Sequence, residues 1–186
     1  MRELGDYISK DMLQAVTYIP LGILMGVIGL AAVQLFSKTG WKWNRTAEPA
    51  ADRGRKRIWA WFFIIVYVTV LLELAFFSRE PGSRIGIDLE LFETWGTTMR
   101  AHSYFIENIA MFIPFGILFP MGFRILRKGT YCVAAGFAFS TCLELAQLIT
   151  SRGYCQLDDV LTNTVGAWIG WLIFQTAAER GSSFGR

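Results

Sequence analysis

Residues 144–170 read ELAQLITSRGYCQLDDVLTNTVGAWIG. Glu144 and Gln147 stand inside one apolar run, and Arg152, Asp158 and Asp159 follow in the turn. Asn163, Gly166 and Gly170 then lead into a second apolar run. If both runs cross a bilayer as a helical hairpin, the polar groups collect at one end of it. Ionisable side chains at membrane depth are costly to keep, which makes them functional-site candidates by default. The rest of the chain can be read by asking which other segments bring polar groups to that end.

The composition supports a membrane setting. The 186-residue chain is 53% hydrophobic, 15% aromatic and 18% charged, where a soluble domain carries roughly a quarter of charged residues. Its mean hydropathy of +0.38 agrees. The formal net charge of +3 is small, so the distribution of charge matters more than the sum. Three cysteines, Cys132, Cys142 and Cys155, are odd in number and strung along one apolar run and its exit. They offer neither a disulfide framework nor a metal-ligand spacing. No metal, no cofactor and no nucleic-acid partner is expected, and the oligomeric state stays open.

In chain order, a short polar lead to Asp11 precedes an apolar run over Met12–Phe36, long enough to span. It is too long for a signal-peptide core and lacks a basic leader, so it reads as a retained helix. Pro20 is expected to bend it, and Gly22, Gly26 and Gly29 to give it a flat packing face. Ser37–Arg57 reads as a polar loop with seven basic residues. A second run covers Ile58–Phe77. The connection Ser78–Ser103 carries an alternating patch, Ile85, Ile87, Leu89 and Leu91, which is either a strand-like re-entrant piece or an interfacial segment. Tyr104–Leu126 is a third run, interrupted by Pro114 and Pro120. Tyr131–Thr150 and Leu157–Ala178 are the fourth and fifth.

The expected fold is therefore an all-α, polytopic transmembrane bundle of about five spans. Its organisation divides into residues 1–57 (first helix and basic loop), 58–178 (four-helix domain) and 179–186 (tail). With the N-terminus outside, twelve Lys and Arg fall in cytoplasmic segments and six outside, so the positive-inside rule favours N-out, C-in. Arg79, His102, Asn108, Glu144, Gln147, Arg152, Asp158, Asp159 and Asn163 then share the outer end as a candidate pocket. Arg79, Glu144, Arg152 and Asp159 sum to zero charge and are expected to form one cluster.

The runs NIAMFIPFGILFP and ELAQLITSRGYCQLDDVLTNTVGAWIG resemble the VanZ-like family of bacterial membrane proteins. The family pattern sets an Asn before a Pro-Phe-Gly helix, then a Glu-x-x-Gln helix, an Arg, an Asp and an Asn-Thr-x-Gly helix. Those elements fall here on Asn108, Pro114, Phe115, Gly116, Glu144, Gln147, Arg152, Asp159, Asn163, Thr164 and Gly166, with Arg79 also fitting. The likeness covers residues 58–175 and departs at IDLELFETW, where the family often has Asn-Leu-x-Pro-Phe. It implies a multi-pass protein of the bacterial cytoplasmic membrane acting at the cell envelope, in a family named for an association with teicoplanin resistance. It supplies no reaction.

Each feature also has a structural reading. Glu144 and Gln147 can serve as interhelical hydrogen-bond glue, and Gly166 with Gly170 as plain helix packing. Pro114 and Gly116 can simply shape a kink. His102 is either a general acid or base or an incidental loop histidine. Arg152 with Asp158 or Asp159 can be a turn-capping salt bridge. The basic 38–57 segment serves as a topology determinant, with anionic head-group contact second. Three functions stay open: binding of an envelope lipid, lipid-linked cell-wall precursor or glycolipid; intramembrane catalysis by carboxylates on a lipid-linked substrate; and an assembly or transport accessory. The first is favoured, because no nucleophile motif accompanies the carboxylates.

Overall fold

A computed structural model of the chain describes residues 2–38, 51–82, 84–88 and 98–183. The all-α bundle expected from the hydropathy pattern is the fold observed. Five long helices build it: α1 (Arg2–Lys38), α2 (Ala51–Leu72), α3 (Met99–Gly122), α4 (Gly129–Ile149) and α5 (Leu157–Ser183). A π turn, Glu73–Phe77, prolongs α2, and a 3-10 turn, Arg124–Arg127, links α3 to α4. Two short strands, β1 (Arg84–Asp88) and β2 (Arg152–Gln156), complete the described residues.

Four helical stretches are long and apolar enough to cross a bilayer: Glu3–Val33, Ile58–Phe77, Met99–Gly122 and Gly129–Ile149. The fifth helix has the length, 27 residues, but it opens on Asp158 and Asp159 and closes on Glu179 and Arg180. It is held instead by its neighbours, running parallel to α3 along its length with α4 on another side. Successive helices alternate in direction. At one end Asp11 of α1 meets Arg100 of α3. At the other, the Trp171 indole of α5 donates to the Arg127 carbonyl beside the 3-10 turn. These are called the polar end and the basic end below.

The helices outrun the apolar runs. Arg53, Arg55, Lys56 and Arg57, expected in a loop, lie on the first turns of α2 instead, and the polar lead before Met12 is already helical. Hydropathy marks where the chain is apolar, whereas Lys, Arg and Glu are good helix formers that carry a helix past the hydrocarbon layer. The remainder of the expected basic loop, 39–50, lies outside the described residues, as do Leu89, Leu91 and residues 184–186.

Small residues set the helix spacing. The glycine face of α1 lies on α2, where a Cβ at Gly26 would fall 2.7 Å from the Phe62 ring. The contact between α3 and α5 is tighter still. A Cβ at Gly166 would strike the carbonyl oxygen of Ile109, one at Gly170 that of Ile113, and one at Gly116 that of Ala167. Leu71, Phe112, Phe115, Leu143 and Ala167 form the buried core beside this crossing.

The segment left open between a strand-like re-entrant piece and an interfacial segment is a strand over 84–88. It pairs in parallel with β2, with Arg84 opposite Arg152 and Asp88 opposite Gln156. The Gly82 N–H donates to the Ser151 carbonyl at 2.8 Å and extends the pairing past the strand start.

Candidate functional site

At the polar end α2 changes hydrogen-bond pattern. The Ser78 N–H reaches back five residues to the Glu73 carbonyl at 2.9 Å, the widened pitch of a π turn. The turn holds main-chain carbonyls that side chains from other elements claim. The Gln147 Nε2 of α4 donates to the Ala75 carbonyl at 2.7 Å, a fully buried bond. One Arg152 Nη donates to the carbonyls of Phe76 and Arg79 at 3.2 and 3.1 Å. Its guanidinium also lies 4.9 Å from the centre of the Phe76 ring. The end of α2 is thus fastened to α4 and β2 by two side chains.

This departs from the expected charge cluster. Arg152 turns its guanidinium to backbone carbonyls and an aromatic face, so its described bonds fix the π turn. Sequence cannot forecast that, because a carbonyl acceptor exists at every residue. Arg152 follows Ser151, the one described non-glycine residue with positive φ, at 54°. Such a backbone is sparsely populated for serine and is a pointer to a constrained site.

Arg79 occupies the other position. Its Nη1 donates to Gln147 Oε1 at a long 3.4 Å, and its charge acts on both Glu144 and Asp159. Glu144 is 3% exposed, and its Oε2 accepts from the Gln156 N–H of β2 at 3.1 Å. Asp159 accepts from Asn108 Nδ2 at 2.6 Å, joining α5 to α3. Arg79, Gln147, Glu144, Asp159 and Asn108 therefore form one connected set drawn from four elements. Glu144 and Gln147 share a face because they are three apart on a helix. Asp159 and Asn163 do so at four.

Asn163 lies deeper along α5. Its Nδ2 donates to Ser140 Oγ at 2.8 Å, and both residues are buried. Its Oδ1 is a buried acceptor without a hydrogen-bond partner. Asp158 is buried, and its carbonyl accepts from the Thr162 hydroxyl. His102 is half-buried on the first turn of α3, where its N–H closes on the Thr98 carbonyl at 3.2 Å. Arg100 belongs elsewhere: it pairs with Asp11 at 3.0 Å and lies against the rings of Tyr7 and Tyr104. Among the packing candidates, Gly116, Gly166 and Gly170 lie on the α3–α5 crossing, and Pro114 is half-buried within α3.

Three participants escaped the sequence reading. Ser140 is four residues before Glu144, and extending the polar face by one turn would have found it. Gln156 bonds Glu144 through its main chain and Asp88 Oδ2 through its side chain at 3.4 Å. Gly153 is buried where a Cβ would fall 2.8 Å from both Arg79 Nη1 and Gln147 Oε1. A bare backbone there lets those two groups meet.

The site's chemistry is that of a mixed-charge hydrogen-bonding surface. Burial, then the fields of Glu144 and Asp159, push the Cys155 thiol up, which disfavours the thiolate a cysteine nucleophile needs. Among the described residues no three His, Cys, Asp or Glu side chains are grouped as metal ligands.

Comparison with known proteins completes the picture. A family model described as VanZ/LLP1 matches residues 58–178. The chain is 33% identical over 72 residues to Protein VanZ of Enterococcus faecium, a stretch that is 37% of this chain and 42% of that protein. The match thus spans less than half of that relative's length. No solved structure matches the chain. A match over the α2–α5 portion, where the polar set and the glycine crossing lie, fixes the assignment: the chain belongs to the VanZ/LLP1 family.

Proposed function

We propose that the polar end binds the head group of an envelope lipid or lipid-linked glycan, and that through this binding the protein contributes to glycopeptide (teicoplanin-type) resistance. The observation that carries the reading is the connected set around Arg79. The Arg79 guanidinium donates to Gln147 and its charge acts on Glu144 and Asp159, close to a turn already fastened by Arg152. Helix packing alone does not require two carboxylates near one cation inside an apolar bundle. A head group with hydroxyl donors and an anionic linkage would use both signs of that surface. Family membership supports an envelope role, and the resistance association comes with the family resemblance.

In this reading the protein is multi-pass in the bacterial cytoplasmic membrane, N-out and C-in, with the polar end facing outward. A reporter fused after Arg186 should then report cytoplasm, and one inserted near Gly82 the outside. The binding itself is tested by mass spectrometry of lipid that copurifies with the full chain. A head-group class should be enriched over bulk membrane lipid in wild type and lost in Arg79→Gln. Equal lipid profiles in the two proteins would sink it.

A second reading, an intramembrane enzyme, is favoured by the two carboxylates that share Arg79, since such a pair can supply acid and base. Turnover of a bound lipid-linked substrate, abolished in Glu144→Gln with the lipid still retained, would select it.

A further inference from the structure

We infer that the basic end carries a second lipid site, a groove between α3 and α4 that takes one acyl chain of an anionic phospholipid from the cytoplasmic-side leaflet. Both α3 and α4 lean on α5 and touch each other sparingly. The gap between them is a groove of about 440 Å³. Phe115 and Phe119 of α3 and Phe123 just past its end form its floor, with Ala135, Ala138 and Phe139 on α4. The floor rings are ordered: Phe115 stacks on Phe119 with centroids 4.0 Å apart and planes 19° apart, and Phe119 stacks on Phe123 at 5.9 Å. The alanines leave the opposite wall shallow.

Dimensions choose the occupant. From Phe115 to Phe123 the helix rises about 12 Å, close to the roughly 15 Å depth of one leaflet's hydrocarbon. A volume of 440 Å³ over that rise leaves a cross-section of about 40 Å². One hydrocarbon chain fits such a channel, whereas a helix with side chains is about 10–12 Å across and does not.

Charge chooses the head group. The groove runs down to Ile125 and Leu126, which line its mouth on the 3-10 turn. Arg124, Arg127 and Lys128, all exposed, stand on the same short stretch. The turn is itself pinned, because Trp171 donates to the Arg127 carbonyl at 3.0 Å and Arg127 Nε donates to that of Pro120 at 3.4 Å. Three cations held at the foot of an apolar channel match a phosphate above an acyl tail. Juxtamembrane basic clusters favour anionic lipid by a factor of about five per cation. The site is separate from the polar end; its leaflet rests on the N-out, C-in orientation of the proposed function, and its binding does not depend on head-group binding there.

The test uses the full chain in mixed micelles containing phosphatidylglycerol and phosphatidylcholine, with retained lipid counted by native mass spectrometry. Wild type should hold phosphatidylglycerol preferentially. The double variant Arg124→Gln with Lys128→Gln should lose roughly 25-fold of that preference, at a factor of about five for each charge. Ala138→Trp should fill the groove from an exposed position and abolish retention of the bound lipid, leaving thermal unfolding unchanged. Retention in Ala138→Trp equal to wild type overturns the site. Lipid held without preference between the two head groups overturns the anionic assignment. Cys142 lines the same groove and is exposed. Efficient oxidative cross-linking through Cys142 between two copies in native membranes would show a second protein there and overturn it as well.

Discussion

Two neighbouring stretches of α5 are joined to the bundle by opposite means. Along Gly166–Gly170 it meets α3 backbone against backbone, with carbonyl oxygens of Ile109 and Ile113 where side chains would stand. Along Asp159–Asn163 it meets α3 and α4 through a carboxylate, two amides and a hydroxyl. The first contact is selective for size and indifferent to polarity. The second is selective for polarity, and it contains a buried acceptor, Asn163 Oδ1, that lacks a partner. A helix that needed only to pack could have used the first device throughout. The presence of the second, at the end where Arg79 and Glu144 also lie, is what marks that end as the candidate site.

The sharpest way to break that contrast is at the crossing. Gly170→Leu would drive a side chain into the Ile113 carbonyl, and a main-chain oxygen inside a helix cannot step aside. Overpacking usually costs about 1–3 kcal/mol, and a backbone clash belongs at the upper end or beyond. Monodisperse yield and thermal unfolding in detergent should both collapse. A near-wild-type melting curve would show that the helices are not in the close contact described.

Glu144 comes next. Glu144→Ala leaves the Gln156 N–H without its acceptor and removes a counter-charge from Arg79. Hydrogen bonds to charged groups contribute about 1.5–3 kcal/mol, so destabilisation of that order is expected. Glu144→Gln keeps an acceptor oxygen and should recover most of the loss while altering the retained lipid. If Ala and Gln substitutions melt alike, the bond to Gln156 is immaterial; if both also melt like wild type, so is the charge, and the polar end is no more specific than the glycine crossing.

Arg152 sharpens the comparison by a smaller amount. A lysine ammonium could reach the two carbonyls that one Nη now holds, but it lacks the delocalised guanidinium that lies over Phe76 at the same time. Arg152→Lys should therefore lower stability by about 1–2 kcal/mol, the scale of one or two neutral-acceptor bonds. Exchanging the charges, Arg152→Glu with Asp159→Arg, should give no rescue, because the partners of Arg152 are carbonyls. Recovery in that double variant would restore the simple ion pair.

Much of this arrangement was legible in the chain. Hydropathy gave the helices, because a bilayer imposes a length and a polarity that composition records directly. Helical spacing placed Glu144 with Gln147, and the common end of the runs brought Arg79, Asn108 and Asp159 near them. What stayed hidden depends on the main chain. The β1–β2 pairing joins segments separated by two whole helices. The π turn at Glu73–Phe77 is a choice of hydrogen-bond partner that five apolar and acidic letters do not encode. The targets of Gln147 and Arg152 are carbonyls, which carry no residue identity. The same blindness moved the helix starts outward, since Arg53–Arg57 look like loop to a hydropathy reading and fold as helix.

Gly153→Ala is the smallest perturbation and the most informative about the polar end. Gly153 is a buried strand residue without positive φ, so alanine meets no backbone penalty there and even gains slightly in strand preference. Its Cβ would fall 2.8 Å from Arg79 Nη1 and Gln147 Oε1, the far ends of two flexible side chains. Those ends can retreat by a few tenths of an ångström, so unfolding should shift by less than about 1 kcal/mol. The retreat nevertheless separates Arg79 from Gln147 and moves the guanidinium relative to Glu144 and Asp159. If the set around Arg79 reads a head group, lipid retention should drop in a protein that melts like wild type. If instead the polar end is only glue, Gly153→Ala should be silent in both measurements. A variant that loses stability and lipid in proportion would mean that the end of α2 comes loose as a whole, and that binding and fastening are one function of the same residues.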